Sequence, residues 1–296
     1  MKKDAMRRKN NIRGYMFILP ALAGFLLFWM FPMIYGLIIS FTDYGGLSTS
    51  LDFVGLKNYI ALFRDDYFMV SLKNNLIYAA VFTPVTLGLS LTLAIGLHKC
   101  LHFSSMYRMA MFLPYITSMV SIAIIWKLLL NPTVGPVNAF LENIGIHNPP
   151  QWLTSSKWAL LAVIFVSVWK TYGYYMIILL AGLQNIPTQY YEAAAIDGAK
   201  GFQMFKNITL PCLSPTVFLC LIMLLINSFQ VFDLVSIMTE GGPGRSTNVL
   251  VYRIYQEGFV NLKMGYASAM SMVLFLIIML VTYIQFLGQK RWVNYQ

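Results

Sequence analysis

The chain has 296 residues, of which 58% are hydrophobic and only 11% charged, with a mean hydropathy of +0.65. This composition excludes a soluble domain and places the chain in a bilayer. The formal charge of +10 does not point to nucleic acid, because Lys2, Lys3, Arg7, Arg8, Lys9 and Arg13 crowd before the first apolar run and Lys290 and Arg291 follow the last, the positive-inside pattern of a membrane protein.

Six apolar runs reach the ~20 residues needed to cross ~30 Å of hydrocarbon, so the expected fold is all-α and polytopic. The first run, residues 15–40, follows the basic segment as a signal peptide would, but it is too long for a signal core and no small-residue cleavage site closes it. It reads as a retained span, with kinks expected at Pro20 and Pro32. Residues 41–75 form a near-neutral polar loop in which 53–59 suggests a short rim helix. The second span, 76–97, carries Gly88, Thr92 and Gly96 at four-residue spacing, a signal for close helix packing. His98 and His102 stand at i and i+4 but lack a third metal ligand nearby.

The third span, 109–130, contains Pro114 and a polar run of Thr117, Ser118 and Ser121, with Lys127 near one end, where it snorkels to the interface. The fourth, 158–183, places Lys170 near its midpoint, among Trp169, Tyr172, Tyr174 and Tyr175. An ionisable group at that depth marks a functional position or a structural ion pair, and the sequence leaves both open. The surrounding aromatic faces and phenol hydroxyls suit a saccharide ring. In the fifth span, 213–238, Asn227, Gln230 and Asp233 recur every three residues and so share a face. That stripe lines a passage or bonds neighbouring helices, and Asp233 is a candidate partner for Lys170. The sixth span runs over 265–287. Cys100, Cys212 and Cys220 fall at cytosolic or membrane positions and imply neither a disulfide framework nor a metal site.

Between the fourth and fifth spans lies moderately polar, helix-forming sequence at 184–212. Pro187 is expected in a first helical turn capped by Asn185 or Thr188, with Glu192 near the positive end of the helix dipole. Gly198 supplies a left-handed stop after Asp197. A second helix from about Gly201 to Leu210 then gathers Phe202, Phe205 and Ile208 on one face, and Pro211 ends it. Ala193, Ala194 and Ala195 leave the first helix thin enough for close backbone approach. The whole reads as a compact docking knob.

Glu192-Ala193-Ala194, then Asp197-Gly198-Ala199, then Ile208-Thr209-Leu210-Pro211 resembles the signature cytoplasmic loop of ABC importer permeases. The residues around it resemble the sugar-permease, maltose-type branch: Met30-Phe31-Pro32, Phe53-Val54-Gly55-Leu56-Lys57-Asn58-Tyr59, Phe112-Leu113-Pro114, Trp169-Lys170 and the glycine-rich 238–244. The resemblance implies a basic cytoplasmic segment at 1–14, a permease domain at 15–288 with its coupling loop at 184–212, and a cytoplasmic tail at 289–296. It further implies a heterodimer with a second permease, two ATP-binding subunits, an extracellular solute-binding protein, and location in the bacterial cytoplasmic membrane. Six spans with a basic amino terminus inside put both termini and the Glu192 loop in the cytosol.

In that family the coupling helix sits in a cleft of the ATPase. Glu192, Ala193, Ala194, Asp197, Gly198, Phe205, Ile208 and Pro211 are therefore the expected docking residues, and Lys170, Tyr172, Asn227, Gln230 and Asp233 the candidates for the substrate passage. The glycines of 241–244 are not followed by a Gly-Lys-Ser/Thr motif, so no ATP site is read in this chain; ATP and Mg2+ are expected on the partner ATPase, and the chain is not expected to be an enzyme. Competing functions are import of a phosphorylated solute or amino acid, a gradient-driven transporter using Lys170 and Asp233 as a charge relay, and a nontransporting scaffold.

Overall fold

The computed structural model describes residues 15–46, 52–99 and 104–294. The basic 1–14 segment, Cys100 and His102 lie outside the described residues. Among those residues no strand forms beyond a single antiparallel bridge between Thr42 and Phe53. Five helices among the described residues are long and apolar enough to cross a membrane, and a bent pair, taken as one span, gives a sixth. The chain divides into two compact units, one formed by the described residues up to Arg64 with Ile254–Val273, the other by Asp65–Arg253 with the described residues from Leu274 onward.

In the first unit, helix α1 (Tyr15–Ile39) is interrupted by a π turn at Leu26–Met30, which falls just before Pro32. A widened turn there absorbs the proline's missing donor. Past its end, the Asn58 amide donates to the carbonyls of Ser40 and Thr42, both at 2.9 Å, and Ser40 Oγ bonds the Tyr59 hydroxyl at 2.6 Å. These contacts fix the short helix α2 (Lys57–Leu62), the expected rim helix, to the exit of α1. The amide of Gly265 donates to Tyr44 O, so the sixth span starts against the same loop.

In the second unit, helix α3 (Asp66–Lys99) starts ten residues earlier than its hydropathy suggests. Asp65 is the reason: its carboxylate accepts the Tyr67 amide at 2.8 Å and caps the helix, while Asp66 occupies the first turn at the positive end of the dipole. Helices α4 (Ser104–Ile116) and α5 (Met119–Leu129) form the third span and meet at 93°, where a single helix was expected. A short helix α6 (Pro136–Asn143) follows, then α7 (Ala159–Gln184), which matches the expected fourth span. The knob contributes α8 (Thr188–Ile196). The fifth span breaks into α9 (Leu210–Phe229) and α10 (Asp233–Met238); α11 (Leu250–Tyr255) and α12 (Met264–Gln289) complete the chain.

Helix α7 is the centre of this unit, packed against α3, α4 and α9. Val163, Val166, Met176 and Leu179 are fully enclosed. Lipid tails are as apolar as these side chains, so packing and polar satisfaction, more than transfer from water, hold the helices together. Close approach depends on Gly173, where a Cβ would collide with the backbone carbonyl of Met111. Among the described residues the Gly88, Thr92, Gly96 stripe plays no such part: all three are exposed, and a Cβ at Gly88 or Gly96 would meet nothing within 4 Å. Helix α3 instead buries its other face, with Tyr78, Phe82, Ser90 and Ala94.

The bend between α4 and α5 has a specific support. Ending a helix at Ile116 leaves its last carbonyls without partners, and Lys170 of α7 reaches them. Its ammonium donates to the carbonyls of Pro114 at 3.2 Å, Tyr115 at 3.0 Å and Thr117 at 2.7 Å. Three donors meet three acceptors, at the negative end of the α4 dipole. Asp233, the partner considered from sequence, is exposed at the first residue of α10 and makes no ion pair with Lys170 among the described residues.

Replacing Lys170 with Met leaves three part-buried carbonyls without their donor and should cost about 3 kcal/mol of stability, whereas Asp233→Ala should change it by less than about 0.5 kcal/mol. Unfolding in a graded detergent series distinguishes them; equal losses would mean that the two side chains pair. By the same assay Gly173→Val should cost about 3 kcal/mol through overpacking, while Gly88→Ala should be neutral for the isolated chain.

Candidate functional site

The knob is built by backbone chemistry. Helix α8 opens after Pro187, which has extended geometry (ψ 131°) and therefore precedes the helix, where a first-turn position was expected. Neither Asn185 nor Thr188 caps it: Asn185 closes α7 instead, and no side chain bonds the α8 entry. Glu192 sits mid-helix and exposed, away from the positive end of the dipole. The exit follows expectation. Gly198 adopts φ +80°, its amide bonds Ala195 O at 3.1 Å, and the Ala199 amide returns to Ala194 O at 2.9 Å. This is a Schellman stop, which satisfies the helix's last carbonyls and needs glycine at its left-handed residue. Gly201, at φ +45°, makes the second corner.

The return limb departs from the expected amphipathic helix. A short turn at Phe202–Met204 enters a π turn at Phe205–Thr209, which continues directly into α9. Pro211 lies in the first turn of α9 and ends nothing, because the π turn ahead of it has already reset the hydrogen-bond ladder. The altered register splits the residues expected on one face: Phe202, 75% exposed, and half-buried Phe205 stay together with ring centroids 6.2 Å apart, while half-buried Ile208 lies outside the cavity they line. Phe202 and Phe205 both line a cavity of about 630 Å³, together with Ile95 and His98 of α3, Leu183 of α7 and Tyr191 of α8. Tyr191 and Thr209 are hydrogen-bonded at 3.0 Å and join the two limbs. The outermost apolar side chain of the knob is Ile196, 87% exposed. Sequence reasoning passed over it because its neighbours define no apolar stripe.

The passage candidates divide into two groups. On α7, Tyr175 is buried and its hydroxyl accepts the Asn227 amide at 2.9 Å, while Tyr174 stacks on Tyr115 at 4.4 Å between ring centroids. The carbonyl of half-buried Tyr172 accepts Ser90 Oγ at 2.8 Å, and Trp169 packs edge-on against Trp126. Asn227, Gln230 and Asp233 do not form a stripe along one helix. Helix α9 stops at Phe229, and Gln230 to Phe232 are non-helical, so threefold spacing no longer implies a common face. All three residues are exposed at this break. The second halves of both broken spans, α5 and α10, pack against each other.

Two further polar residues were missed. Asn74 donates to Arg245 O at 2.8 Å and Asn248 O at 2.9 Å, and Asn75 bonds Ser228 O and the Leu250 amide. They tie the 239–250 segment to α3. Adjacent asparagines entering an apolar run were the available signal. Among the described residues no cluster of His, Cys, Asp and Glu has the geometry of a metal site.

Comparison with known proteins agrees with this architecture. The family model of the binding-protein-dependent transport system inner membrane component matches residues 85–294. The probable ABC transporter permease protein YesP of Bacillus subtilis is 39% identical over 300 residues, covering 100% of this chain and 96% of the relative. The sn-glycerol-3-phosphate transport system permease protein UgpA of Yersinia enterocolitica is 37% identical over 284 residues, covering 95% of each chain. Among solved structures, a chain of a bacterial ABC transporter involved in import of the acidic polysaccharide alginate superposes with a TM-score of 0.86 at 24% identity, over 99% of this chain and 100% of that one, a likeness of fold. A chain from the alginate transporter in complex with its alginate pentasaccharide-bound periplasmic protein gives 0.85 at 25% identity, over 96% of each. The chain therefore belongs to the binding-protein-dependent transport system inner membrane component family, and is a multi-pass membrane permease subunit of an ABC importer.

Proposed function

We propose that this permease imports a saccharide, taking it from an extracellular binding protein and passing it through a bundle shared with a second permease. The knob at 188–209 carries the reading: it presents Ile196 and Phe202 at its surface and runs without interruption into the span that carries Asn227. In this scheme two ATP-binding subunits seat the knob and hold ATP with its Mg2+. Glu192 pairs with a cation of the ATPase, Ala193 and Ala194 allow close approach, and Asp197 with Gly198 shapes the turn. Phe205, Ile208 and Pro211 act from behind, by joining the knob to α3 and α9. Closure of the ATPases displaces the knob, and α9 transmits the motion to the break at Gln230. With the knob on the cytosolic side, both termini are cytosolic as well.

Non-helical backbone at membrane depth persists where it is enclosed by protein or lines a water-filled path. Exposed Gln230 and Asp233 at such a break, with Asn227 and the Tyr115, Tyr174 and Tyr175 cluster beside it, supply the polar and aromatic groups a sugar requires. The alginate importer of like fold supports the saccharide assignment. The sn-glycerol-3-phosphate permease at 37% identity favours a second reading, a small phosphorylated solute.

Reconstituted with its partners, the importer should hydrolyse ATP faster when the binding protein is loaded with saccharide. Stimulation by a phosphorylated solute alone would select the second reading, and uptake that proceeds without ATP would reject both. Ile196→Asp and Glu192→Lys, both at exposed positions, should abolish uptake and ATPase copurification while leaving membrane insertion intact. Normal uptake in both variants would remove the docking assignment.

A further inference from the structure

At the end of the second unit opposite the knob, α3, the entrance to α7 and the 243–246 turn enclose a cleft of about 590 Å³. Lys73, Lys157 and Arg245 line it, and no acidic residue does. Glu240, the acid nearest in sequence, is paired with Lys127 at 3.4 Å, and Asp65 with Arg253 at 3.7 Å. Arg245 is held in place, its guanidinium lying 3.4 Å from the Tyr67 ring centroid. Asn74, whose amide is engaged by the Arg245 and Asn248 carbonyls, fixes the turn that carries this arginine.

Below the cations the walls become apolar. Lys73 and Ile77 are one turn apart on α3, and Lys157, in the turn before α7, precedes Leu161 of α7 by four residues; Ile77 and Leu161 are both partly exposed. The neighbouring Trp158 lies beneath the Lys157 ammonium at 5.8 Å and packs edge-on against Trp152, an aromatic pair of the kind that sits at headgroup depth. A soluble sugar would need aromatic faces or a ring of hydroxyls, and the lining offers only Ser156 and Ser246 beyond the engaged Asn74. A cationic rim above an apolar groove instead matches an anionic amphiphile.

We propose that this cleft binds an anionic phospholipid of the leaflet opposite the knob, its phosphate on Lys73, Lys157 and Arg245 and an acyl chain along Ile77 and Leu161. The site needs only a bilayer around the chain and does not depend on the transported solute. Bound there, the lipid bridges α3, α7 and the 243–246 turn.

The test uses the purified importer, stripped of lipid in neutral detergent and titrated with phosphatidylglycerol or phosphatidylcholine of matched chains, with retained lipid counted by native mass spectrometry. Phosphatidylglycerol should be retained preferentially, and Lys73→Gln with Lys157→Gln should weaken it by about fivefold per lysine removed. Lys73→Arg with Lys157→Arg should restore retention. Equal retention of the two lipids, or no effect of the glutamine pair, overturns the proposal. Displacement by excess inorganic phosphate would assign the cations to a free anion instead. Loss of binding-protein affinity with lipid retention unchanged would make the cleft a protein interface. Both lysines are exposed, so the variants should fold.

Discussion

A single buried ammonium determines how the membrane core of this chain is arranged. An unpaired lysine at membrane depth is costly, and so is a helix that stops there with free carbonyls. Lys170 and the end of α4 resolve each other: three N–H donors meet the carbonyls of Pro114, Tyr115 and Thr117. With those carbonyls satisfied, the third span can turn through 93°, and α5 is free to lie against α10. Tyr115, brought to the bend, stacks on Tyr174. The aromatic cluster beside the proposed passage thus depends on a contact that contains no carboxylate.

The two broken spans share a logic with different chemistry. In the third, the break is held from outside by a side chain of another helix. In the fifth, α9 ends at Phe229 and the polar residues around the break are left exposed. The carbonyls of the first break are therefore clamped, while the second leaves Gln230 and Asp233 accessible. A permease that alternates between two states needs both properties, since a fixed framework is what gives a moving segment something to move against. The knob joins the accessible side directly, through a π turn and a proline that lies within the first turn of α9.

Much of the plan was legible from sequence. The number of apolar runs, the extent of the fourth span and the left-handed stop at Gly198 each follow from a local rule, and the structure keeps them. The breaks were not legible, because hydropathy measures transfer into lipid, and the sequence is apolar on both sides of Thr117 and of Gln230. Whether a helix continues there depends on what satisfies its carbonyls, and the group that does so for α4 lies 53 residues or more along the chain, in α7. Threefold spacing of Asn227, Gln230 and Asp233 misled for the same reason, since periodicity has meaning only along an unbroken helix. Pro211 was read as a stop and is the opposite, a residue suited to the opening of a helix. The Gly88 stripe was correctly read as small, yet among the described residues nothing packs on Gly88 or Gly96.

The segment from α12 to Asn294 is tied down. The Asn294 amide donates to Ser214 Oγ at 2.9 Å, and Trp292 packs edge-on against Phe218, both on the early turns of α9 just beyond the π turn. Phe286 of α12 meets the same Phe218 ring. Any displacement entering α9 from the knob is therefore imposed on the last helix at the same moment, without passing through the bundle. Segments eighty positions apart in sequence behave as one mechanical part, with Phe218 as its rivet.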